Sequence, residues 1–253
     1  MAAGMGTRLN PITLTKPKAL VEVNGVPLLE IILERLKAFG FNRIVINTHH
    51  FPDQIRSFVD KKKNNGLNIS ISDETEMLMD TGGGLKKAAH LFDNGPILVH
   101  NVDILTSLNL KELYDYHIKN KSCVTLAVKE RKTTRSLIID DKGILCGWTN
   151  HITGEIKRPV PKPIVSACIA FSAVHIVERS VLNNITINGP FGIMDTYLNL
   201  AANRSVKTFR HDNDIWVDAG RIENMEEASK LLHFVYPVNN NKFYVKSFRL
   251  VVN

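Results

Sequence analysis

The chain has 253 residues, 44% of them hydrophobic, and a formal charge of +7 at pH 7. This length suits one full α/β domain with at most a small appendage, and the composition excludes wholesale disorder. No apolar run approaches the ~20 residues that span a bilayer, and Gly and Arg interrupt the N-terminus too early for a signal peptide, so a soluble cytoplasmic protein is expected, with no membrane partner.

In chain order, strand-like and helix-like segments alternate through the first two-thirds. Residues 19–23 form a short apolar run closed by the turn pair Asn24-Gly25. Pro27 opens a stretch from Leu28 to Leu36 with apolar residues at helical spacing, and Gly40 ends it. Residues 43–47 (RIVIN) predict a strand, 52–62 a helix and 68–72 (NISIS) a strand. A helix over 84–92, a buried strand over 96–100 (PILVH), a helix over 110–120 and a strand over 123–128 follow. Such alternation implies right-handed crossovers and a mainly parallel sheet covered on both faces.

Past residue 135 the rhythm changes. Residues 136–140 and 144–148 flank Asp141-Lys142-Gly143 and predict a hairpin. Pro159, Pro161 and Pro163 mark an extended loop before a strand over 164–171. Helices are expected over 174–182, 193–203 and 223–232, and strands over 206–209 and 215–218. After His233, the run Asn239-Asn240-Asn241 between aromatic-rich stretches reads as a hairpin or an extended tail.

Cys123, Cys146 and Cys168 are odd in number and widely spaced, and read as small apolar residues, not as a disulfide framework or a metal site. His49-His50 has no further ligand at zinc spacing. The basic residues are scattered without an aromatic-rich stripe, which speaks against nucleic acid as a partner, and the run Lys61-Lys62-Lys63 fits a solvated helix end. A polyanionic small substrate drawn to a basic cleft is the other reading of the charge.

Ligands of open parallel sheets collect at the carboxyl ends of strands, and four segments there carry chemistry. The first, Ala2-Ala3-Gly4-Met5-Gly6-Thr7-Arg8-Leu9, sets two glycines, a hydroxyl and an arginine within five residues. Glycines let backbone N–H groups approach phosphate oxygens, and the guanidinium clamps them. It is neither a Walker A loop nor a dinucleotide fingerprint, and read alone it is equally a flexible N-terminus. The others are Asp80-Thr81-Gly82-Gly83-Gly84, expected as a loop before a helix; His100-Asn101-Val102-Asp103; and Ile215-Trp216-Val217-Asp218-Ala219-Gly220-Arg221. Asp218 also reads as a helix N-cap.

From Gly4 through Lys16-Pro17-Lys18-Ala19-Leu20-Val21 to Val26-Pro27-Leu28-Leu29, the chain resembles the signature of the sugar-phosphate nucleotidyltransferases, G-x-G-T-R-L-x-P-L-T, P-K-x-L-x-x-V and P-L-L, with its spacing intact. The resemblance implies a Rossmann-like three-layer α/β/α fold with a mixed, mostly parallel central sheet, of the glycosyltransferase-A-like kind. It implies one nucleotidyltransferase domain over residues 1–232, with a nucleotide-binding half over 1–130, a sugar-binding half over 131–232, and a tail of unread role over 233–253. Ala2, Ala3, Gly4, Gly6, Thr7 and Arg8 would hold the triphosphate, and Gly82 and Gly83 would frame the base, with Glu74 or Glu76 helping to orient it. Arg8, Lys18 and Asp103 would be catalytic, Asp103 and Asp218 would bind Mg²⁺, and Asn101, Lys157 and Asp195 would meet the sugar phosphate.

The implied reaction joins a nucleoside triphosphate to a sugar 1-phosphate and releases pyrophosphate. The Thr-Gly-Gly-Gly form is similar to the N-acetylmuramate 1-phosphate uridylyltransferase branch; a mannose or heptose 1-phosphate guanylyltransferase and a non-catalytic nucleotide-sugar-binding homologue stay open, as does oligomeric state. Three departures stand out. Val102 replaces a glycine of the usual Asn-Gly-Asp, Arg221 replaces a threonine, and the Glu-Lys-Pro segment is not present as such. A fourth is larger: the family's glycine loop follows an apolar strand, whereas Met1 directly precedes Ala2-Ala3-Gly4. A start upstream of Met1 is therefore expected, and with the central strand missing, low stability and exposed backbone groups on both neighbouring strands.

Overall fold

The computed structural model describes residues 3–62, 66–159, 167–203, 206–236 and the backbone of 248–252. Single 3₁₀ turns at Thr7–Leu9, Ile12–Leu14 and Lys18–Leu20 lead to a small hairpin of β1 (Glu22–Val23) and β2 (Val26–Pro27). Helix α1 (Leu28–Ala38) buries Leu28, Leu29, Ile31, Ile32, Leu33 and Leu36, the face its spacing predicts. Then follow β3 (Phe41–Thr48), α2 (Pro52–Lys61), β4 (Asn68–Asp73), α3 (Asp80–Ala88), β5 (Pro96–His100), β6 (Ile104–Thr106), α4 (Leu110–Asn120) and β7 (Val124–Lys129). Asn109 caps α4, its side chain accepting from the N–H groups of Lys111 and Glu112.

The second half contributes β8 (Arg135–Ile139), β9 (Leu145–Asn150), β10 (Ile156–Lys157), β11 (Ala167–Glu178), α5 (Arg179–Asn183), α6 (Ile193–Ala201), β12 (Val206–Arg210), β13 (Trp216–Asp218), α7 (Met225–Val235) and β14 (Phe248–Val252). The large sheet is mixed. Its parallel block runs β4-β3-β14-β5, and β11 lies antiparallel to β5, β7 and β8, joining that block to the hairpins of the second half. Side chains alternate across the sheet: Ile44, Ile46 and Leu98 enter one core, and Val45, Ile97 and Val99 the other. That period-two split makes three layers.

Two expectations about elements are corrected. Residues 174–182 are not a helix: β11 continues to Glu178, and only Arg179–Asn183 is helical. The β-branched run Val174, Ile176 and Val177 is buried against strands on both sides, so pairing overrides the apparent helical spacing. Residues 248–252, expected within a C-terminal tail or hairpin, form a central strand that pairs with both β3 and β5. The position between β3 and β5 is occupied by this strand.

Candidate active site

Asp103 and Asp218 are 115 positions apart in sequence and meet through a two-stranded ribbon. β6 and β13 pair antiparallel with Asp218 opposite Ile104, and the Ala219 N–H donates to the Asp103 carbonyl at 2.8 Å. Gly220 forms the floor between the two carboxylates. A Cβ at Gly220 would lie 2.3 Å from Asp103 Oδ2 and 3.0 Å from Asp218 Oδ1, so any side chain there would occupy the space the two groups share. The Gly220 N–H donates to Asp218 Oδ1 at 3.1 Å. Sequence reading quoted Gly220 without giving it a role; its place two residues after an aspartate that ends a strand was the available signal.

Three cations face this pair. Lys18 Nζ donates to Asp103 Oδ2 at 2.9 Å, with both side chains almost fully buried. Arg8 reaches Asp218 Oδ2 at 3.2 Å and Asp103 Oδ2 at 4.0 Å from a half-exposed position. Arg221 Nε donates to Asp218 Oδ2 at 3.2 Å. Burial pushes the Asp103 carboxyl up, but neighbouring positive charge, that of Lys18 foremost, and the Lys18 hydrogen bond together hold the group below the usual carboxylate range. Asp103 is therefore an anion at neutral pH.

The glycine-rich start lies against the same cluster. Gly6 takes a left-handed conformation (φ 68°), and a Cβ there would come within 2.9 Å of Thr13 Cγ2 and 3.1 Å of Lys18 Cβ. The Thr13 hydroxyl donates to the Gly6 carbonyl at 2.9 Å and fixes the turn. A Cβ on Gly4 would sit 3.7 Å from Lys18 Nζ, so the loop and the lysine are neighbours. Ala3 is buried, Thr7 and Arg8 are exposed, and Ala2 lies outside the described residues. Val102 is fully buried in the core with Ile104 and Leu105, so its side chain does not narrow the cleft.

Arg131 is a further cation that sequence reading missed. Its guanidinium lies 3.7 Å from the centroid of the Trp216 ring, while the Trp216 indole N–H donates to the Ser172 carbonyl. Burial lowers the Arg131 pKa and the charge of Asp218 partly restores it. Its position at the carboxyl end of β7 was the overlooked clue.

The three glycines at 82–84 are not in a loop. They lie in the first turns of α3, which begins at Asp80, and all three are buried. Each leaves room for a different neighbour. A Cβ at Gly82 would meet the Phe191 ring at 2.2 Å, one at Gly83 the Gly189 carbonyl at 2.5 Å, and one at Gly84 Glu74 Oε1 at 2.6 Å. The Gly82 N–H donates to the Phe191 carbonyl at 2.8 Å, and that of Gly83 to the same oxygen at 3.4 Å. Glu74 is buried beneath this helix, accepting from Asn47 Nδ2 and from the Met79 N–H, whereas Glu76 is exposed.

Among the sugar-side residues, Asn101 is half-buried and its N–H donates to the Ala173 carbonyl at 3.2 Å. Lys157 and Asp195 are brought together, Nζ to Oδ1 at 2.7 Å, linking β10 to the first turn of α6. Lys157 also lies 5.6 Å from the centroid of the Trp148 ring. Among the described residues no helix is long and apolar enough to cross a membrane, and Cys123, Cys146 and Cys168 are free thiols, Cys168 being exposed and not a core residue.

Residues 1–233 match the family model described as nucleotidyl transferase. The chain is 43% identical over 214 residues to an N-acetylmuramate alpha-1-phosphate uridylyltransferase of Caulobacter vibrioides, covering 81% of this chain and 84% of that protein. It is 31% identical over 227 residues to a mannose-1-phosphate guanyltransferase of Yarrowia lipolytica, covering 87% of this chain and 60% of that longer protein. In fold it is similar to a putative glucose-1-phosphate thymidylyltransferase from Bacillus anthracis, with TM-score 0.75, 19% identity and 95% of each chain covered. It is also similar to HddC from Yersinia pseudotuberculosis, solved with GMP-PN, with TM-score 0.70, 21% identity and coverage of 90% and 96%. The signature from Gly4 to Leu29, the paired aspartates and the match over most of its length agree: this chain belongs to the nucleotidyl transferase family.

Proposed function

We propose that this protein transfers the nucleotidyl group of UTP to a sugar 1-phosphate, N-acetylmuramate 1-phosphate first among them, and releases pyrophosphate. The observation that carries the reaction type is the pair of carboxylates closed on Gly220 and ringed by Lys18, Arg8 and Arg221 beside the glycine-rich turn. The choice of base and sugar rests on the 43% identity to the Caulobacter vibrioides uridylyltransferase.

The donor set suits a hard divalent cation. Asp103 Oδ1 is buried with no hydrogen-bond partner among the described residues, and carboxylate oxygens are the ligands Mg²⁺ selects. Bound by Asp103 and Asp218, the ion would neutralise charge between the two reacting phosphates. The rest falls to the chain. A sugar phosphate is ionised near neutral pH, so no base is needed to generate the nucleophile. The barrier is anion repulsion plus the entropy of alignment, and both yield to placed cations. Arg8, half-exposed and able to turn from Asp218 to an incoming phosphate, receives the triphosphate with the amides of Gly4, Gly6 and Thr7. Lys18 holds Asp103 ionised. Gly82 and Gly83 frame the base end through helix packing, since the Gly82 amide already donates to Phe191. Lys157, Asp195 and Asn101 are assigned to the sugar side, and the cytoplasm, where nucleoside triphosphates are plentiful, is the proposed compartment.

Guanylyl transfer to mannose 1-phosphate is the second reading, favoured by the relatives of that name. A panel of UTP and GTP against N-acetylmuramate, mannose and heptose 1-phosphates, read by Mg²⁺-dependent pyrophosphate release, separates the two. Release with UTP and N-acetylmuramate 1-phosphate that disappears in Asp103→Asn is the expected result. No release with any pair would favour a non-catalytic nucleotide-sugar-binding role.

A further inference from the structure

The other cations named at the site each face a carboxylate of this chain: Arg8 and Arg221 pair with Asp218, Lys18 with Asp103, and Lys157 with Asp195. Arg131 makes no such pair among the described residues. Its contacts are the Trp216 ring, 3.7 Å from the guanidinium carbon to the centroid, the Phe171 carbonyl, to which Nη2 donates at 2.7 Å, and the Lys132 carbonyl, to which Nη1 donates at 3.3 Å. Nε is buried with no hydrogen-bond partner. A half-buried guanidinium without a counter-ion is costly to hold, and an anionic ligand offsets that cost. One N–H on each terminal nitrogen is left for such a ligand. Strand geometry sets its place beside the carboxylates. Val217 is buried in the core, so Trp216 and Asp218 share the opposite face of β13, roughly 7 Å apart along the strand. Trp216 is itself held: its indole N–H donates to the Ser172 carbonyl at 3.0 Å, and the Ser172 hydroxyl and His211 Nε2 lie 2.7 Å apart in the interior. The platform under Arg131 is thus fixed before a ligand arrives.

We infer that Arg131 is an anion-binding residue that holds the phosphate of the acceptor, the sugar 1-phosphate, and that Trp216 positions its guanidinium for this. In-line transfer places two anions: the acceptor oxygen forms its bond to the α-phosphorus while the α–β bridging oxygen departs with pyrophosphate. Acceptor and leaving group therefore lie on opposite sides of the α-phosphorus, and one arginine does not serve both. Arg8 belongs to the glycine-rich turn and the triphosphate. Arg131 stands at the head of the connection from β7 to β8, in the half of the chain that carries Lys157 and Asp195. A phosphate monoester presents paired oxygens that match the two N–H groups Arg131 has left. The acceptor assignment rests on the proposed transfer reaction; the anion site does not.

Kinetics test the assignment. Arg131→Gln should raise KM for the sugar 1-phosphate by about 10-fold or more, the worth of a charge-assisted hydrogen bond, and leave KM for the triphosphate where it was. Arg131→Lys keeps a charge over the ring without the paired N–H groups and should recover that loss only in part. A rise in KM for the triphosphate instead would overturn the acceptor assignment, as would an unchanged KM for the sugar 1-phosphate. A purely structural arginine predicts a lower melting temperature and a lower kcat with both KM values unmoved, and that result would overturn it too. Isothermal titration with inorganic phosphate tests the anion site without turnover. Arg8→Gln serves as the background, so that phosphate on the triphosphate side does not mask the result. This protein should bind phosphate, and adding Arg131→Gln should weaken binding on the order of 10-fold. Equal affinity, or no binding in the background protein, would overturn the site. Phosphate binding that depends on Arg131, with no turnover of any sugar 1-phosphate by the parent, would count against the reaction and leave the anion site standing.

Discussion

The carboxylate cluster and the Lys157–Asp195 pair are both ion pairs assembled from distant parts of the chain, yet they are built in opposite ways. In the cluster, Lys18 and Asp103 are nearly buried (side-chain exposure 10% and 5%), and the space between Asp103 and Asp218 is kept open by a glycine. In the other pair, Lys157 and Asp195 are 41% and 59% exposed and neutralise each other at the surface. Burial makes the first cluster intolerant, since a charge there without its partner has neither water nor counter-ion. Water makes the second adjustable. The chemistry common to a family can be fixed in a site of the first kind, while recognition of a particular substrate can drift in the second.

The largest test of that contrast is Lys18→Met. It leaves Asp103 buried with Arg8, at 4.0 Å, as its remaining ion-pair partner among the described residues, and breaking a buried pair of this kind costs about 3 kcal/mol or more. The expected result is a fall in melting temperature of roughly 6–12 °C for a domain of this size, together with loss of pyrophosphate release. A melting temperature within a degree of the parent would mean the cluster is less desolvated than its burial indicates. Gly220→Ala acts on the same cluster by geometry. A methyl 2.3 Å from Asp103 Oδ2 must displace one carboxylate, and misplacing a catalytic group by about 1 Å costs on the order of 100-fold in rate. Turnover should fall by that factor with a folded, well-melting protein, which distinguishes positioning from collapse.

The same contrast explains what was readable in the sequence. That Arg8, Lys18, Asp103 and Asp218 would meet was legible from the resemblance of Gly4 to Leu29 to the family signature and from the place of each aspartate just after a strand. The alternation of β3, α2, β4, β5 and α4 was legible from period and β-branching. Four things were not. The glycines 82–84 looked like a loop because intrinsic propensity disfavours glycine in helices; packing against Phe191, Gly189 and Glu74 overrides it, and no local pattern announces those partners. The strand character of 174–178 was hidden because both faces of β11 are covered, Val174 and Ile176 in one core and Val177 in the other, so it lacks the polar alternation of an exposed strand. The place of 248–252 is a non-local fact, set by its pairing with β3 and β5. Arg131 was overlooked because its importance depends on Trp216, which is 85 positions away.

A pH-dependent effect, whose slope is absent at neutral pH, concerns His175, buried within the sheet, with Nε2 and the Tyr197 hydroxyl 2.7 Å apart. Burial pushes its pKa down to about 3, from an ordinary value near 6.5. Because the folded pKa is the lower one, the contribution is fully present above the unfolded value and is lost as pH falls from about 6.5 toward 3, when the unfolded chain takes up a proton the native chain refuses. This histidine should contribute a slope of about 1.4 kcal/mol per pH unit to stability across that window. Urea denaturation of the parent and His175→Gln at several pH values checks it. Parallel pH curves for the two proteins would show that His175 titrates in the fold.

The smallest stability effect is expected at the surface pair, where it sharpens the contrast most. Lys157→Ala removes an exposed partner of Asp195 and of Glu155, and such pairs contribute no more than about 1 kcal/mol. The melting temperature should move by no more than roughly 4 °C. If Lys157 meets the sugar phosphate, the cost appears elsewhere: KM for the sugar 1-phosphate rises, while kcat and KM for the triphosphate hold. Asp195→Asn then separates two roles for the pairing. If Asp195 only parks the lysine between turnovers, its loss frees the ammonium and lowers KM for the sugar 1-phosphate; if Asp195 itself contacts a sugar hydroxyl, KM rises as it does in Lys157→Ala. Unchanged KM in both variants would remove the pair from the substrate site and leave it as a clasp between β10 and α6.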